Sequence, residues 1–231
     1  MPVGARRLVL APSLLSADFG ALGDAVRAAE AGGADAFHLD VMDGHFVPNL
    51  SFGPALVAAV RARTRKPLDV HLMIEDPLRY VEAFRRAGGD TLVFHAESRS
   101  EPRSVIAAVH ALGARVGVAL KPETPLDAAL PWLGEIDELM VMGVHPGFSG
   151  QPFLPEVLPK LSEARRRIDA LGRSVELAID GGITVETARA TAAHGASFFV
   201  CGQSVYGAGA VEANLARLRA AVEEGARREV P

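Results

Sequence analysis

The chain has little of what marks secreted, membrane-bound or nucleic-acid-binding proteins. Its single cysteine, Cys201, cannot form an intramolecular disulfide, which fits a reducing compartment. The first apolar stretch, Leu8 to Pro12, is shorter than a signal-peptide core, and no segment reaches the length of a membrane span. With a formal net charge of −4, the chain has no basic run that could follow a nucleic-acid backbone. We therefore expect a cytoplasmic protein that binds neither nucleic acid nor membrane.

Short aliphatic runs alternate along the chain with segments of helical periodicity. This alternation predicts parallel strands joined by crossover helices. The 231 residues, of which 49% are hydrophobic, suffice for one sizeable core. The predicted strands are Leu8–Leu14, Ala36–Val41, Leu68–Leu72, Thr91–His95, Arg115–Leu120, Glu138–Val144, Val175–Asp180 and Ser197–Cys201. Eight strands indicate an α/β fold, a single (β/α)8 TIM barrel.

Glycine-rich steps separate several predicted helices from the strands that follow them. Glycine after the last helical turn supplies the left-handed conformation that ends a helix. These steps contain Gly32-Gly33, Gly88-Gly89, Gly113 and Gly195. No linker or low-complexity segment interrupts the pattern, so we predict one domain over residues 1–231, with 223–231 as a flexible tail.

The strongest chemical pattern is the run from His38 to Gly44, in which strand alternation points His38, Asp40 and Met42 to one face. His71 and Asp180 lie at the ends of two further predicted strands. Each histidine alone could be structural, and an aspartate before glycine could be a turn former. Together, two imidazoles and two carboxylates at one end of a barrel favour a site for one divalent ion, zinc, iron or manganese.

Glycines also follow the last three predicted strands. The segments are Gly147-Phe148-Ser149-Gly150, Gly181-Gly182 and Gly202-Gln203. Glycines allow backbone amides to approach an anion closely, and barrels often bind phosphate on their last loops. Each segment could be a simple turn, but three on neighbouring strands favour a phosphate cradle.

Other residues leave alternatives open. Met42, Met73 and Met142 lie near strand ends, where methionine usually fills gaps in a core but could line a reaction centre. Cys201 is predicted to be a small buried hydrophobe rather than a nucleophile. His95 and Glu97 are candidates for groups that support the site, and the sequence does not decide this.

These motifs together resemble the ribulose-phosphate 3-epimerase family, in the family's order and over nearly the whole chain. The resemblance rests on the segments Ala11–Phe19, His38–Asn49, His71–Met73, Pro146–Phe148, Gly150–Gln151 and Asp180–Gly182. It implies a metal held by His38, Asp40, His71 and Asp180, a homo-oligomer, and a small sugar phosphate as substrate. The implied substrate contacts are Ser13, Met42, His71, Met73, Met142, Gly147, Phe148, Ser149, Gly150, Gly181, Gly182, Gly202 and Gln203.

The resemblance also implies a reaction, the epimerisation of D-ribulose 5-phosphate to D-xylulose 5-phosphate at carbon 3 in the pentose phosphate pathway. Hydrogen next to a ketone is weakly acidic, so we expect an enediolate intermediate. Inversion needs the proton to leave one face and return to the other, and Asp40 and Asp180 are the expected catalytic acid and base.

Four positions depart from the family pattern. Lys121 and His145 stand where Asn is usual, Ser149 where Gly is usual, and Gln203 where Ser is usual. Changes beside the phosphate loops could alter the preferred chain length of the substrate. The alternatives are therefore a 3-epimerase of a hexulose phosphate such as allulose 6-phosphate, and a non-catalytic sugar-phosphate-binding protein.

Overall fold

The computed structural model describes residues 6–228. Eight parallel strands form one sheet in the order β1-β8-β7-β6-β5-β4-β3-β2. The strands are β1 Val9–Pro12, β2 Phe37–Met42, β3 Leu68–Met73, β4 Thr91–His95, β5 Arg115–Leu120, β6 Glu138–Met142, β7 Glu176–Asp180 and β8 Phe198–Cys201. Each predicted strand is present, and β4 and β5 have the predicted bounds.

The barrel closes between β1 and β2, the two ends of this order. Ser13, directly after β1, forms a parallel bridge with His38 of β2. Below the bridge, the Asp35 amide donates to the Leu10 carbonyl at 3.0 Å, and the Asp35 carboxylate accepts from the Leu10 amide at 2.9 Å. Closure gathers the carboxyl ends of all strands at one face, as the predicted TIM barrel requires.

Helices cover the outside of the barrel. They are α1 Leu22–Ala31, α2 Pro54–Arg61, α3 Val81–Arg86, α4 Pro102–Ala111, α5 Leu158–Leu171, α6 Val185–Ala193, α7 Gln203–Tyr206 and α8 Val211–Ala226. The crossover from β5 to β6 instead consists of two 3₁₀ turns, Leu126–Ala128 and Leu130–Trp132. Pro125 and Pro131 explain this difference, because proline removes a backbone donor and crowds the preceding turn.

The glycines predicted to follow helices behave as expected, and the predicted tail does not. Gly33, Gly88, Gly113 and Gly195 all have positive φ. The start of the predicted tail is helical, because α8 continues through Ala226, and Gly225 is buried against α6. The end of that tail, residues 229–231, lies outside the described part of the chain. Between residues 6 and 228, no helix has the length and apolarity needed to cross a membrane.

The apolar core has an outer part between strands and helices and an inner part inside the barrel. Leu39 and Val41 belong to the outer part, whereas Ala178 and Met140 belong to the inner part. The interior also holds a carboxyl group, that of Glu138 at the start of β6. It is fully buried, and neither of its oxygens has a hydrogen-bond partner. Gly117 on β5 leaves room for it, since a Cβ there would lie 3.2 Å from the Glu138 Cβ.

Candidate metal centre and substrate cavity

Three strands place the four predicted metal ligands together at the carboxyl end of the barrel. His38 and Asp40 lie on β2, His71 on β3 and Asp180 at the end of β7, and all four are buried. Alternation along β2 is as predicted, because Leu39 packs in the outer core while its neighbours point inward. The four side chains each offer one ligand atom, and these atoms lie within 4.8 Å of one another.

The geometry of these atoms suits a metal ion. His38 Nε2 lies 3.3 Å from Asp40 Oδ1 and 3.8 Å from Asp180 Oδ2. His71 Nδ1 lies 3.5 Å from Asp40 Oδ1 and 3.3 Å from Asp180 Oδ2. Both nitrogens are buried without a hydrogen-bond partner, which is unusual for buried polar atoms. Two imidazole nitrogens and two carboxylate oxygens are a donor set for zinc, iron or manganese, so the cluster could hold such an ion.

Each histidine is held by its other ring nitrogen. Asp69 Oδ2 lies 2.7 Å from His38 Nδ1, and His95 Nε2 lies 2.9 Å from His71 Nε2. Glu97 Oε2 in turn lies 3.0 Å from His95 Nδ1. Such outer contacts orient metal-binding histidines. The sequence offered a signal for Asp69 that we did not use, since it shares the inward face of β3 with His71, two residues on.

The pKa values of the candidate ligands and of the residues behind them are shifted in different directions. Burial opposes both charges of the His38 and Asp40 pair, but their attraction prevails, raising the pKa of His38 and holding the pKa of Asp40 well below its usual range. Burial lowers the pKa of His95 to about 4 despite the neighbouring Glu97. Burial would raise the pKa of Glu97, but His95 and other hydrogen-bond donors lower it to about 2. At neutral pH, therefore, His95 is neutral and Glu97 is ionised.

A cavity of about 410 Å³ opens beside the two aspartates. Asp40 and Asp180 both line it, and the Ser13 hydroxyl donates to Asp40 Oδ2 at 2.5 Å. Other predicted substrate contacts that line it are Met42, Met73, Met142, Gly147, Phe148, Ser149, Gly150, Gly181, Gly182, Gly202 and Gln203. His71 is the predicted contact that does not line the cavity, because it is fully buried beneath it. The structure thus brings all but one of these residues to a single cavity.

The cavity also has walls that were not predicted. Ser16, Phe153, Thr184 and Ser204 are among them. Ser16 belongs to the Ala11–Phe19 motif, and its position one helical turn after Ser13 could have indicated it. Phe153 packs its backbone against Gly182, where an added Cβ would lie 2.6 Å from the Phe153 Cα. Only tertiary packing reveals this contact.

The departures from the family pattern lie in two places. Ser149 and Gln203 line the cavity. Lys121 and His145 do not: the Lys121 ammonium lies 4.3 Å from the centre of the Phe46 ring, and His145 lies 3.4 Å from exposed Glu123. Cys201 is fully buried and burial raises the pKa of its thiol, so the prediction that it is a small hydrophobe is confirmed.

Fold and site together define a class, a TIM barrel with a two-histidine, two-aspartate centre beside a glycine-lined cavity. The model of the ribulose-phosphate 3 epimerase family matches residues 9–206, and the chain belongs to this family. It is 47% identical over 199 residues to the ribulose-phosphate 3-epimerase of Bacillus subtilis, covering 86% of this chain and 92% of that one. The enzyme of the same name from Mycobacterium bovis is 45% identical over 211 residues, with 91% of each chain covered.

Solved structures at lower identity share the fold. The 3-keto-L-gulonate-6-phosphate decarboxylase from Vibrio cholerae superposes with a TM-score of 0.68 at 16% identity, over 98% of this chain and 100% of that one. At this identity the likeness concerns the barrel alone.

Proposed function

We propose that this protein interconverts D-ribulose 5-phosphate and D-xylulose 5-phosphate by inverting carbon 3. The observation that carries the proposal is the placement of two carboxylates, Asp40 and Asp180, on the wall of one cavity. Two relatives named ribulose-phosphate 3-epimerase match across most of the chain and support the assignment.

The two aspartates act as acid and base on opposite faces of the substrate. Asp40 comes from β2 and Asp180 from β7, and β8 and β1 separate these strands around the barrel. One carboxylate takes the proton of carbon 3 while the other returns a proton to the opposite face. The roles exchange in the reverse direction. The Ser13 hydroxyl, which donates to Asp40 Oδ2, fixes the orientation of that carboxylate.

One divalent ion, zinc, iron or manganese, belongs to this reaction and would be held by His38, Asp40, His71 and Asp180. When bound, it supplies Lewis-acid stabilisation of the negative charge that develops on the substrate oxygens. The buried nitrogens of the two histidines, which have no hydrogen-bond partner, support this role.

The glycine segments bind the substrate phosphate. Gly181 and Gly182 have φ of 105° and 67°, a conformation in which side chains are strained, and both line the cavity. Gly202 lies against Ser16, whose Oγ would be 2.5 Å from an added Cβ. The space beside the α-carbons of Gly182 and Gly202 is taken up by Phe153 and Ser16, so these positions offer backbone to the cavity, and backbone amides can bind an anion. The methionines Met42, Met73 and Met142 form the apolar side of the same cavity.

A coupled assay of D-ribulose 5-phosphate conversion, with metal analysis of the same sample, tests the proposal. We expect turnover that scales with bound metal. Parallel assays with allulose 6-phosphate test the longer substrate, because Ser149 and Gln203 at the cavity wall are the positions that could admit it. Faster turnover of the hexulose phosphate would identify it as the preferred substrate. Binding of either sugar phosphate without any turnover would indicate a non-catalytic protein.

A further inference from the structure

A line of polar groups leads from His71 away from the cavity, and the acid and base chemistry does not use it. His71 Nε2 lies 2.9 Å from His95 Nε2, and His95 Nδ1 lies 3.0 Å from Glu97 Oε2. Glu97 Oε1 accepts the Lys121 backbone N–H at 2.9 Å. Both imidazoles are fully buried, so water does not compete for these contacts.

The order of donors and acceptors along this line is determined at the Glu97 end. One Glu97 oxygen accepts the Lys121 N–H and the other faces His95 Nδ1, so the carboxylate is the acceptor at both contacts and His95 carries a proton on Nδ1. The 2.9 Å contact between the two Nε2 atoms needs one donor and one acceptor, and a His95 ring that carries its proton on Nδ1 accepts on Nε2. His71 must then donate from Nε2, which leaves a lone pair on His71 Nδ1, the nitrogen that faces Asp40 and Asp180.

We propose that Glu97, acting through His95, is a positioning residue that fixes the tautomer of His71 and thereby keeps His71 Nδ1 free for a metal ion. The inference rests on the metal centre of the proposed function. It adds two residues whose part the sequence left undecided.

A comparison of His38 with His71 shows why His71 needs the His95 ring beside it. His38 faces the cluster with Nε2, and a single carboxylate, Asp69, holds its Nδ1 at 2.7 Å. His71 faces the cluster with Nδ1, so the nitrogen that must be held, Nε2, points away from it. His95 occupies that space and transmits the preference of Glu97 from one ring to the other.

The far end of the line is itself anchored. The Lys160 ammonium donates to the carbonyls of Lys121, Pro122 and Thr124 at 3.1, 2.7 and 2.6 Å. This holds the turn after β5 and with it the Lys121 N–H that contacts Glu97. Since that N–H needs an acceptor, the orientation of any side chain at position 97 is constrained.

Glu97→Gln tests the proposal because it keeps the shape of the side chain and replaces the acceptor that faces His95 Nδ1 by a donor. The amide oxygen is needed by the Lys121 N–H, so the NH₂ group faces His95 Nδ1. His95 then carries its proton on Nε2, His71 must accept there, and the His71 proton moves to Nδ1. We expect zinc affinity, measured by chelator competition, to fall about 10- to 100-fold. Glu97→Asp, which keeps an acceptor, should recover most of that loss.

A second readout separates this role from general damage. Imidazole ¹⁵N spectra of the metal-free protein at alkaline pH should show His71 protonated on Nε2 in the wild type and on Nδ1 in Glu97→Gln. Glu82→Gln, at an exposed glutamate of α3, is the matched control and should change neither zinc affinity nor tautomer. If Glu97→Gln does not fold, His95→Leu, which removes the acceptor for His71 Nε2, should show a comparable loss of zinc affinity.

Wild-type zinc affinity in a folded Glu97→Gln or His95→Leu variant would overturn the proposal, as would an unchanged His71 tautomer in Glu97→Gln. Failure of the proposed function is a different result. In that case the wild-type protein itself would bind no zinc, or would bind it without turning over the sugar phosphate.

Discussion

Replacing Glu138 by glutamine should remove a pH-dependent loss of stability from this protein. Burial, reinforced by the charges of Asp69 and Glu176, raises the pKa of Glu138 well above its usual range, and the charges of Arg115 and His38 only partly offset this. The native state therefore keeps this proton to a higher pH than the unfolded chain does. Because the native state binds more protons, the free energy of unfolding falls as the pH rises above the usual glutamate pKa of 4.5.

The size of the effect follows from proton linkage. A one-proton difference changes the free energy of unfolding by about 1.4 kcal/mol per pH unit. At each pH at which the native state holds this proton and the unfolded chain has lost it, the wild type should lose stability at this rate through Glu138, and Glu138→Gln should not. Below the usual glutamate pKa both states are protonated, so the difference between the two proteins should become constant.

Urea unfolding of both proteins across this pH range measures the effect. The quantity of interest is the difference between the two free energies of unfolding, in which contributions from other titrating groups cancel. Glu82→Gln should run parallel to the wild type, because that carboxylate is exposed. If the Glu138→Gln curve also runs parallel to the wild type, Glu138 is ionised in the native state and this reasoning is refuted.

Three further predictions concern the site. Prolonged chelation should abolish turnover, and zinc, iron or manganese should restore it; full activity in verified metal-free protein would contradict a metal centre. Gly182→Val and Gly202→Val, whose Cβ atoms would lie 2.6 Å from the Phe153 Cα and 2.5 Å from the Ser16 Oγ, should raise KM at least about tenfold, and Gln203→Ser far less. Equal effects on KM would exclude the cradle. Metal-loaded Asp40→Asn and Asp180→Asn should each lose epimerisation yet exchange the substrate proton with deuterated solvent for opposite epimers. Near wild-type turnover by loaded Asp180→Asn would remove that residue from the mechanism.

The strands and the four candidate ligands could be predicted because local patterns determine them. Alternation along β2 fixed the direction of His38 and Asp40, and the parallel topology then brought His71 and Asp180 to the same end. A barrel converts order along the chain into position around a ring, so strand-end residues become neighbours without further information.

Features that depend on contacts between distant segments were missed. The contact of His95 with His71 requires knowing how two rings tilt between adjacent strands, and nothing in the spacing of the motifs contains that angle. The vacant space that admits Glu138 depends on Gly117 of the neighbouring strand. The crossover after β5 was different, because its prolines were visible and should have excluded a helix.

The barrel closes between β1 and β2, so the order in which the strands are synthesised determines when the metal ligands can come together. Three of the candidate ligands, His38, Asp40 and His71, leave the ribosome early, while Asp180 and β8, the strand that pairs with β1 along its length, come late. The Ser13–His38 bridge and the hydrogen bond from the Ser13 hydroxyl to Asp40 Oδ2 join Ser13 to β2. A nascent or truncated chain that ends before β7 has an incomplete ligand set and an unpaired first strand. The complete ligand set therefore exists only in a chain that extends through β7, and the barrel closes on β1 only when β8 follows.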